Sequence, residues 1–293
     1  MSVKTNADKL VIVSAMGQVA SPGFPGLPAS PYLLTSEGKP FLLPAFGGIV
    51  YNVSVGDSAY GWLADCIHPG VSIKLKDDTG NRGLNILSCV GNTAIVMSGG
   101  ASGERGVVTG KSGRFSEHVI IHFSKAVREK MAIGDKIVIR TKGVGMQLPD
   151  HPDIKLKSCS PEFLENLEVA TADDGKLAVS VVGVVPPHLL GAGAGLTSEG
   201  GSLHIQTADK DALKEAGLDD LKLGDVVALS DFDSSWNHGF RRGSIGIGVV
   251  GQGDSPRHGY GPGITVMMTS TENGIAPMVT SGVNVKTLFN LND

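Results

Sequence analysis

Two stretches of this chain read as the same unit, and that repetition constrains the fold more than any other feature. The first runs Glu117-His118-Val119-Ile120-Ile121-His122-Phe123, a short helical stretch, then Ala132-Ile133-Gly134-Asp135-Lys136-Ile137-Val138-Ile139. The second runs Ser202-Leu203-His204-Ile205-Gln206-Thr207, a short helical stretch, then Lys222-Leu223-Gly224-Asp225-Val226-Val227-Ala228-Leu229. Each is a strand, a short helix, an apolar-Gly-Asp turn and a strand. The turn has a physical logic: glycine supplies left-handed backbone, and aspartate accepts local backbone N–H groups. Glycine-rich loops are expected at 99–113 and 191–201, upstream of the two copies, and a third such turn, Val55-Gly56-Asp57, has no helix before it. A duplication of this kind predicts two halves that share a core, often around a pseudo-twofold axis.

Helical periodicity is otherwise scarce, confined to 125–131, 161–167 and 208–216. Strand-like runs dominate at 10–13, 71–76, 93–97, 118–123, 136–140, 176–185, 226–229 and 244–250, punctuated by Gly, Pro, Asn and Asp. The fold expected is mainly β with a few short helices. Its duplicated strand–helix–strand halves are barrel-like, similar in pattern to double-psi barrels, with an irregular N-terminal region. The segmentation expected is 1–88 for an N-terminal β region with a Pro-rich arm, 89–157 for the first barrel half, and 158–293 for the second half with the site loops. The arm, 22–48, carries Phe24, Leu27, Tyr32, Leu33 and Leu34, which need a cover. The segment reads as an arm on a neighbouring subunit or as a loop over a site; the arm is preferred, so a homo-oligomer is expected.

Composition closes off several classes. Glycine, at 41 of 293 residues, is about 14%, twice the usual share of roughly 7%. No strict Gly-X-Y period makes it collagen-like, and 41% hydrophobic with 18% charged residues argues against disorder. A net charge of -4 argues against nucleic acid or an anionic membrane as partner. Three cysteines, Cys66, Cys89 and Cys159, offer no C-x-x-C pair. No run approaches 18 uninterrupted apolar residues, and Asp8 stands where a signal peptide needs basic residues. A cytoplasmic setting is expected.

Two glycine motifs imitate nucleotide sites. Gly246-Ile247-Gly248-Val249-Val250-Gly251 has the letters of a dinucleotide fingerprint, but Gln252-Gly253-Asp254-Ser255-Pro256 cannot open a helix. Gly106-Val107-Val108-Thr109-Gly110-Lys111-Ser112 is one residue short of a P-loop, and Gly113-Arg114-Phe115 follows in place of a helix. The first reads as a strand pressed on another backbone. Nucleotide cofactors are not expected, and G-x-S-x-G and H-E-x-x-H are both absent.

Three constellations carry candidate chemistry. In the 230–243 stretch, Asp231 and Asp233 share a face if the strand continues, with His238 on the following loop. Such a set could hold a divalent cation or divide acid and base roles, against the plainer reading of an Asp/Ser/Asn turn. Arg241 and Arg242 offer forked donors to an anionic substrate group. In 254–263, glycines and prolines display His258 and Tyr260, the plainer reading being a tight surface turn. In Asp65-Cys66-Ile67-His68-Pro69-Gly70, extended backbone would put Cys66 and His68 on one face, a pair able to ligate metal or act as nucleophile and base. His118 and His122 lie roughly 13 Å apart by strand rise and cannot chelate one ion together. His122 reads as structural, while His118 stays open.

At Gly91-Asn92-Thr93-Ala94, Ser98-Gly99-Gly100-Ala101, Val108-Thr109-Gly110-Lys111, Glu117-His118 and His258-Gly259-Tyr260-Gly261-Pro262-Gly263, the chain resembles an uncharacterised family catalogued as domain of unknown function 4438. The resemblance covers most of residues 45–270. It implies a β-rich fold and a prokaryotic cytosolic setting, and it brings no established reaction. The family pattern favours Asp-His at Asp65-Cys66, His at Gln252 and Gly-His-Gly at Gly259-Tyr260-Gly261, while Asp65, His118, Asp231 and Asp233 match. A histidine-containing metal site, if the family has one, is altered here.

The function expected is an enzyme acting on a small polar, anionic molecule by acid/base or metal-assisted chemistry, a hydrolase or lyase by preference. Its catalytic candidates are Asp65, His68, His118, Asp231, Asp233 and His258. Arg241, Arg242 and Tyr260 would bind substrate. The alternative is a non-catalytic small-molecule binding protein, and a third reading is a mainly structural oligomer. Perturbed carboxylates around a dry pocket favour catalysis, whereas fixed donors and neutral groups favour binding.

Overall fold

The computed structural model describes residues 3–24, 30–113, 117–199 and 201–293. Leu27 of the arm, and Arg114 and Phe115 of the P-loop-like stretch, lie outside the described residues. Along the chain, β1 (Val13–Val19) is followed by a small ribbon, β2 (Leu33–Leu34) paired with β3 (Pro40–Phe41). Next come β4 (Val71–Lys74), α1 (Asp78–Leu87), β5 (Thr93–Val96), β6 (Arg105–Ser112), β7 (His118–His122), α2 (Lys125–Arg128) and β8 (Lys136–Thr141). Six of these strands close into a barrel in the order β1-β4-β7-β6-β5-β8. Every neighbouring pair in it is antiparallel.

The barrel forms because its strands alternate. In β8, Ile137, Ile139 and Thr141 are buried while Lys136 and Arg140 are exposed. Val19, Val71, Ile73, Val108, Ile121, Phe123, Ile137 and Ile139 fill the interior. Each fully buried aliphatic side chain of this kind contributes about 1.5–3 kcal/mol over its exposed state. Strands β1 and β4 come from the segment expected to stand apart before residue 89. They join because the barrel needs six strands to close.

The second part of the chain supplies β9 (Ile154–Leu156), α3 (Pro161–Asn166), β10 (Val169–Thr171), β11 (Leu177–Val181), β12 (Gly183–Val185), β13 (Leu203–His204) and α4 (Lys210–Glu215). After these come β14 (Val226–Asp233), β15 (Gly239–Gln252), β16 (Gly263–Ser270), β17 (Ile275–Val279) and α5 (Val285–Leu288). A six-stranded sheet has the order β12-β14-β15-β16-β13, with β9 also on β16, and β10-β11-β17 make a smaller sheet. Two apolar clusters pack on the large sheet, one holding Val226, Ile247 and Met268, the other Val227, Leu229 and Ile264. The first copy of the repeated unit lies in the closed barrel, and the second lies in this open sheet.

The Gly-Asp turns share one geometry. Gly56, Gly134 and Gly224 have φ of 97°, 92° and 92°. The following aspartates, Asp57, Asp135 and Asp225, each accept the N–H three residues back, at 2.8, 2.8 and 2.7 Å. Each turn also exchanges a hydrogen-bond pair with one residue of a crossing segment: Leu223, Val19 and Val250 respectively.

Strand β6 corrects the loop expected at 99–113. Its glycines serve contact with other backbone, so the spacing that imitates a P-loop belongs to a strand. A Cβ on Gly110 would fall 3.1 Å from the Gly251 Cα. The two nucleotide look-alikes are therefore contact partners, and they join the barrel to the large sheet.

Candidate functional site

Close backbone packing at Gly110 and Gly251 sets the end of β15 beside the barrel. Beyond it, residues 252–257 run antiparallel to residues 65–68. Gly253 N–H donates to Ile67 O at 2.9 Å, and Cys66 N–H donates to Asp254 O at 3.0 Å. Ser255 Oγ donates to Asp65 Oδ1 at 2.7 Å across 190 residues of chain. At the other end, Gln252 meets His68. The second and third constellations of the sequence thus form one junction, which His118 joins from the start of β7.

His68 is fully buried, its ring centroid 5.5 Å from that of His118. Phe46 covers both, at 6.1 and 5.8 Å. Gly47 N–H lies 3.3 Å from His68 Nδ1, and Ser72 Oγ lies 2.7 Å from it. A backbone N–H can only donate, so Nδ1 accepts and the ring proton sits on Nε2. Gln252 Nε2 stands 3.4 Å from that nitrogen, and Gln252 Oε1 is buried without a partner. The consistent carboxamide orientation turns Oε1 onto the His68 proton. A side chain on Gly263 would collide with Gln252, which explains the glycine.

His118 is buried, and neither ring nitrogen has a hydrogen-bond partner. Burial, then the Lys74 charge, lowers its pKa to about 4. His68 is held well below the usual histidine range, by burial first and by His118 second. Both rings are neutral near pH 7. Among the described residues, no group of three or more His, Cys, Asp or Glu could hold a metal ion.

Beside the histidines lies a charged layer. Arg257 Nε lies 3.2 Å from both carboxylate oxygens of Asp65, which is almost wholly buried. The guanidinium stacks 3.8 Å over the Tyr260 ring, and Tyr260 packs edge-on against His204 with ring centroids 5.1 Å apart. His204 Nδ1 donates to Gly261 O at 2.8 Å, and burial lowers its pKa to about 4. Cys66 has φ of 55°, rare for a residue with a side chain. The backbone is therefore not extended there, and the expected Cys66/His68 pair does not form. Arg257 Nη2 reaches the Cys66 sulfur at 3.7 Å, while His68 faces Ser72 and Gln252. Burial, then Asp65, pushes the Cys66 thiol up to about 12, so it carries no thiolate near neutrality.

Of the expected site residues, Asp65, His68, His118 and Tyr260 meet at this junction. His258 is exposed and lines a shallow groove with Gln206, Asp209, Lys210 and Asp211. Asp231 and Asp233 sit on the far part of the β14–β15 hairpin. Asp231 occupies a bulge with φ of 51° and accepts Gly243 N–H at 2.7 Å. Asp233 accepts Ser235 N–H at 2.8 Å, and Arg241 and Arg242 are exposed. The neighbouring Ser234 bonds Thr269, whereas Gln252 pairs with Gly263. Six residues of β16 separate those points, roughly 20 Å of strand. Sequence reasoning passed over Phe46, Ser72, His204, Gln252, Ser255 and Arg257 as site residues. Ser255 and Arg257 carried a signal, since both stand inside the second constellation, and Gln252 stood where the family pattern favours His.

No protein of curated function matches the chain. A solved structure named "Crystal structure of TM1086" is similar, with TM-score 0.91 and 40% identity over 98% of this chain and 99% of that one. Family models for the N-terminal and C-terminal parts of domain of unknown function 4438 match residues 32–165 and 166–289. On that coverage, the chain belongs to the family described as domain of unknown function 4438.

Proposed function

We propose that this protein binds a small polar molecule at the junction of 65–68, 252–257 and β7, with His118 as the group that receives it. The observation carrying this reading is the buried His118 ring with neither nitrogen bonded. Leaving such a group unpaired costs about 1–3 kcal/mol, and a ligand donor or acceptor removes that cost. The surrounding groups favour recognition over proton transfer. Gln252, Ser72 and the imidazoles are neutral, and a pKa of about 4 at His118 is far from a general acid or base matched to neutral pH. Phe46 is the cover that has to move, on a loop with positive φ at Gly47 and Gly48.

An enzyme, hydrolase or lyase, is the second reading. The left-handed Cys66 beside the Asp65–Arg257 pair favours it, because strain of this kind gathers at functional sites. A neutral imidazole can also polarise a carbonyl. A homo-oligomer remains part of the proposal, supported by exposed Tyr32, Leu34 and Leu42 around the ribbon. The shared Gly-Asp turn geometry supports descent of the two units from one. No helix among the described residues is long and apolar enough to cross a membrane.

The test is a thermal-shift panel of small carboxylic acids, amides and sugars on wild type and His118→Phe. At least one compound is expected to stabilise wild type and not the variant. Hits that stabilise both equally would place the ligand elsewhere and overturn the reading. Mass spectrometry of a discriminating hit after incubation decides between binding and turnover.

A further inference from the structure

A second polar cluster lies on other elements and does not rest on the histidine junction. Lys111 of β6 is 3% exposed, and its Nζ has no hydrogen-bond partner. Lys157 follows β9 and is almost as deeply buried, its side chain 4% exposed. Its Nζ meets Glu199 Oε1 at 2.5 Å. Glu199 acts on Lys111 as well, together with Lys157 and Cys89. His238 lies close enough to feel both Lys157 and Glu199, and burial keeps it neutral. Both lysines are anchored at neighbouring points of β16, Lys111 N–H donating to Thr265 Oγ1 at 2.9 Å and Lys157 N–H to Met267 O at 2.9 Å, and only Lys157 has the carboxylate as a direct partner.

That carboxylate is the unusual member. Glu199 is half exposed and comes from the glycine-rich segment before β13, where Gly193 and Gly195 have φ of 103° and 82°. A side chain that can leave for solvent is holding a lysine that cannot. Burying an ammonium is costly unless it is paired, so burial pushes the Lys111 pKa down, and an anion beside Nζ would oppose that shift.

We propose that Lys111 and Lys157 form a binding site for a small oxyanion, the carboxylate or phosphate group of a ligand, and that Glu199 takes its place when the ligand is absent. The ligand would exchange with the Glu199 carboxylate on Lys157 and give the Lys111 amine the partner it lacks. Charge-assisted bonds to oxyanions suit lysine, which acts as a point charge without the planar demand of arginine.

Calorimetric titration with sodium phosphate, and separately with sodium acetate, tests this on wild type, Glu199→Gln, and Glu199→Gln combined with Lys111→Met. Glu199→Gln is expected to bind one of the two anions at least tenfold tighter than wild type. Adding Lys111→Met is expected to remove that gain, and the anion that shows it identifies the chemistry. No gain in Glu199→Gln, or a gain that survives Lys111→Met, overturns the proposal. Lys111→Met alone replaces an unpartnered buried amine with an apolar chain of similar length, so it should fold. If circular dichroism shows Glu199→Gln unfolded, wild type decides: one anion must raise its melting temperature and leave that of Lys111→Met unmoved. The same shift in both proteins, or none, rejects the site.

Discussion

The junction of 65–68 with 252–257 and the tip of the β14–β15 hairpin are built from the same kinds of residue, yet they differ in what those residues have left over. At the hairpin tip, the Asp231 and Asp233 carboxylates accept N–H groups from their own turn. Arg241 and Arg242 point to water. At the junction, Asp65 is buried against Arg257, His118 has no partner, and Cys66 sits in left-handed backbone. Polar residues satisfied by their own loop shape that loop. Polar residues satisfied only across the fold, or not at all, mark a place where a ligand can change the balance.

Breaking the junction should therefore cost far more than breaking the tip. Arg257→Met leaves Asp65 buried with Ser255 as its remaining partner. Removing one partner of a buried ion pair costs about 3–5 kcal/mol. Arg241→Met and Arg242→Met should each stay within about 0.5 kcal/mol, as exposed substitutions do. Urea unfolding of the three variants checks the contrast, and equal losses at both places would erase it.

The next largest effect is a pH dependence owned by the junction. Burial first, then the Lys74 charge, holds the folded His118 pKa at about 4, below the ordinary histidine value of 6.5. The neutral form is the one the fold accepts, so its contribution is complete above pH 6.5. It is lost as pH falls from there through about 4, because the unfolded chain takes up the proton first. The loss is on the order of 3 kcal/mol. His204 and His238, also near 4, add to the slope in the same direction. Stability measured at pH 7 and pH 4.5 should fall less in His118→Phe than in wild type. An unchanged slope would mean that His118 is not held neutral by its surroundings.

The contrast also explains what could be read from the sequence. The Gly-Asp turns were legible because their chemistry is local: Asp57, Asp135 and Asp225 each bond a residue three positions back. The junction was not, because Asp65 and Ser255 are 190 residues apart and nothing in either loop names the other. Helix α1 was missed since Gly80 and Gly83 interrupt it and only Leu84 and Asn85 are buried; its start rests on the Asp77 cap to Gly80 N–H. Strand β6 was missed because Gly106 and Gly110 answer to neighbours, His122 and Phe123 for one and Gly251 for the other. The repeated pattern predicts a shared core, but the first stretch lies in the closed barrel and the second in the six-stranded sheet, and the barrel closes with β1 and β4, which lie outside both stretches.

The smallest effect sharpens the comparison most, because it separates shape from chemistry at one carboxylate. Asp231 holds left-handed backbone at a bulge and accepts Gly243 N–H. Asparagine keeps the accepting oxygen and tolerates that backbone, whereas alanine does neither. Asp231→Ala should cost about 1 kcal/mol, and Asp231→Asn should stay within about 0.5 kcal/mol. Any compound found to stabilise the protein through His118 should do so equally in Asp231→Asn. If that variant keeps its stability but loses the ligand response, the charge on Asp231 matters beyond its turn, and the hairpin tip belongs to the site after all.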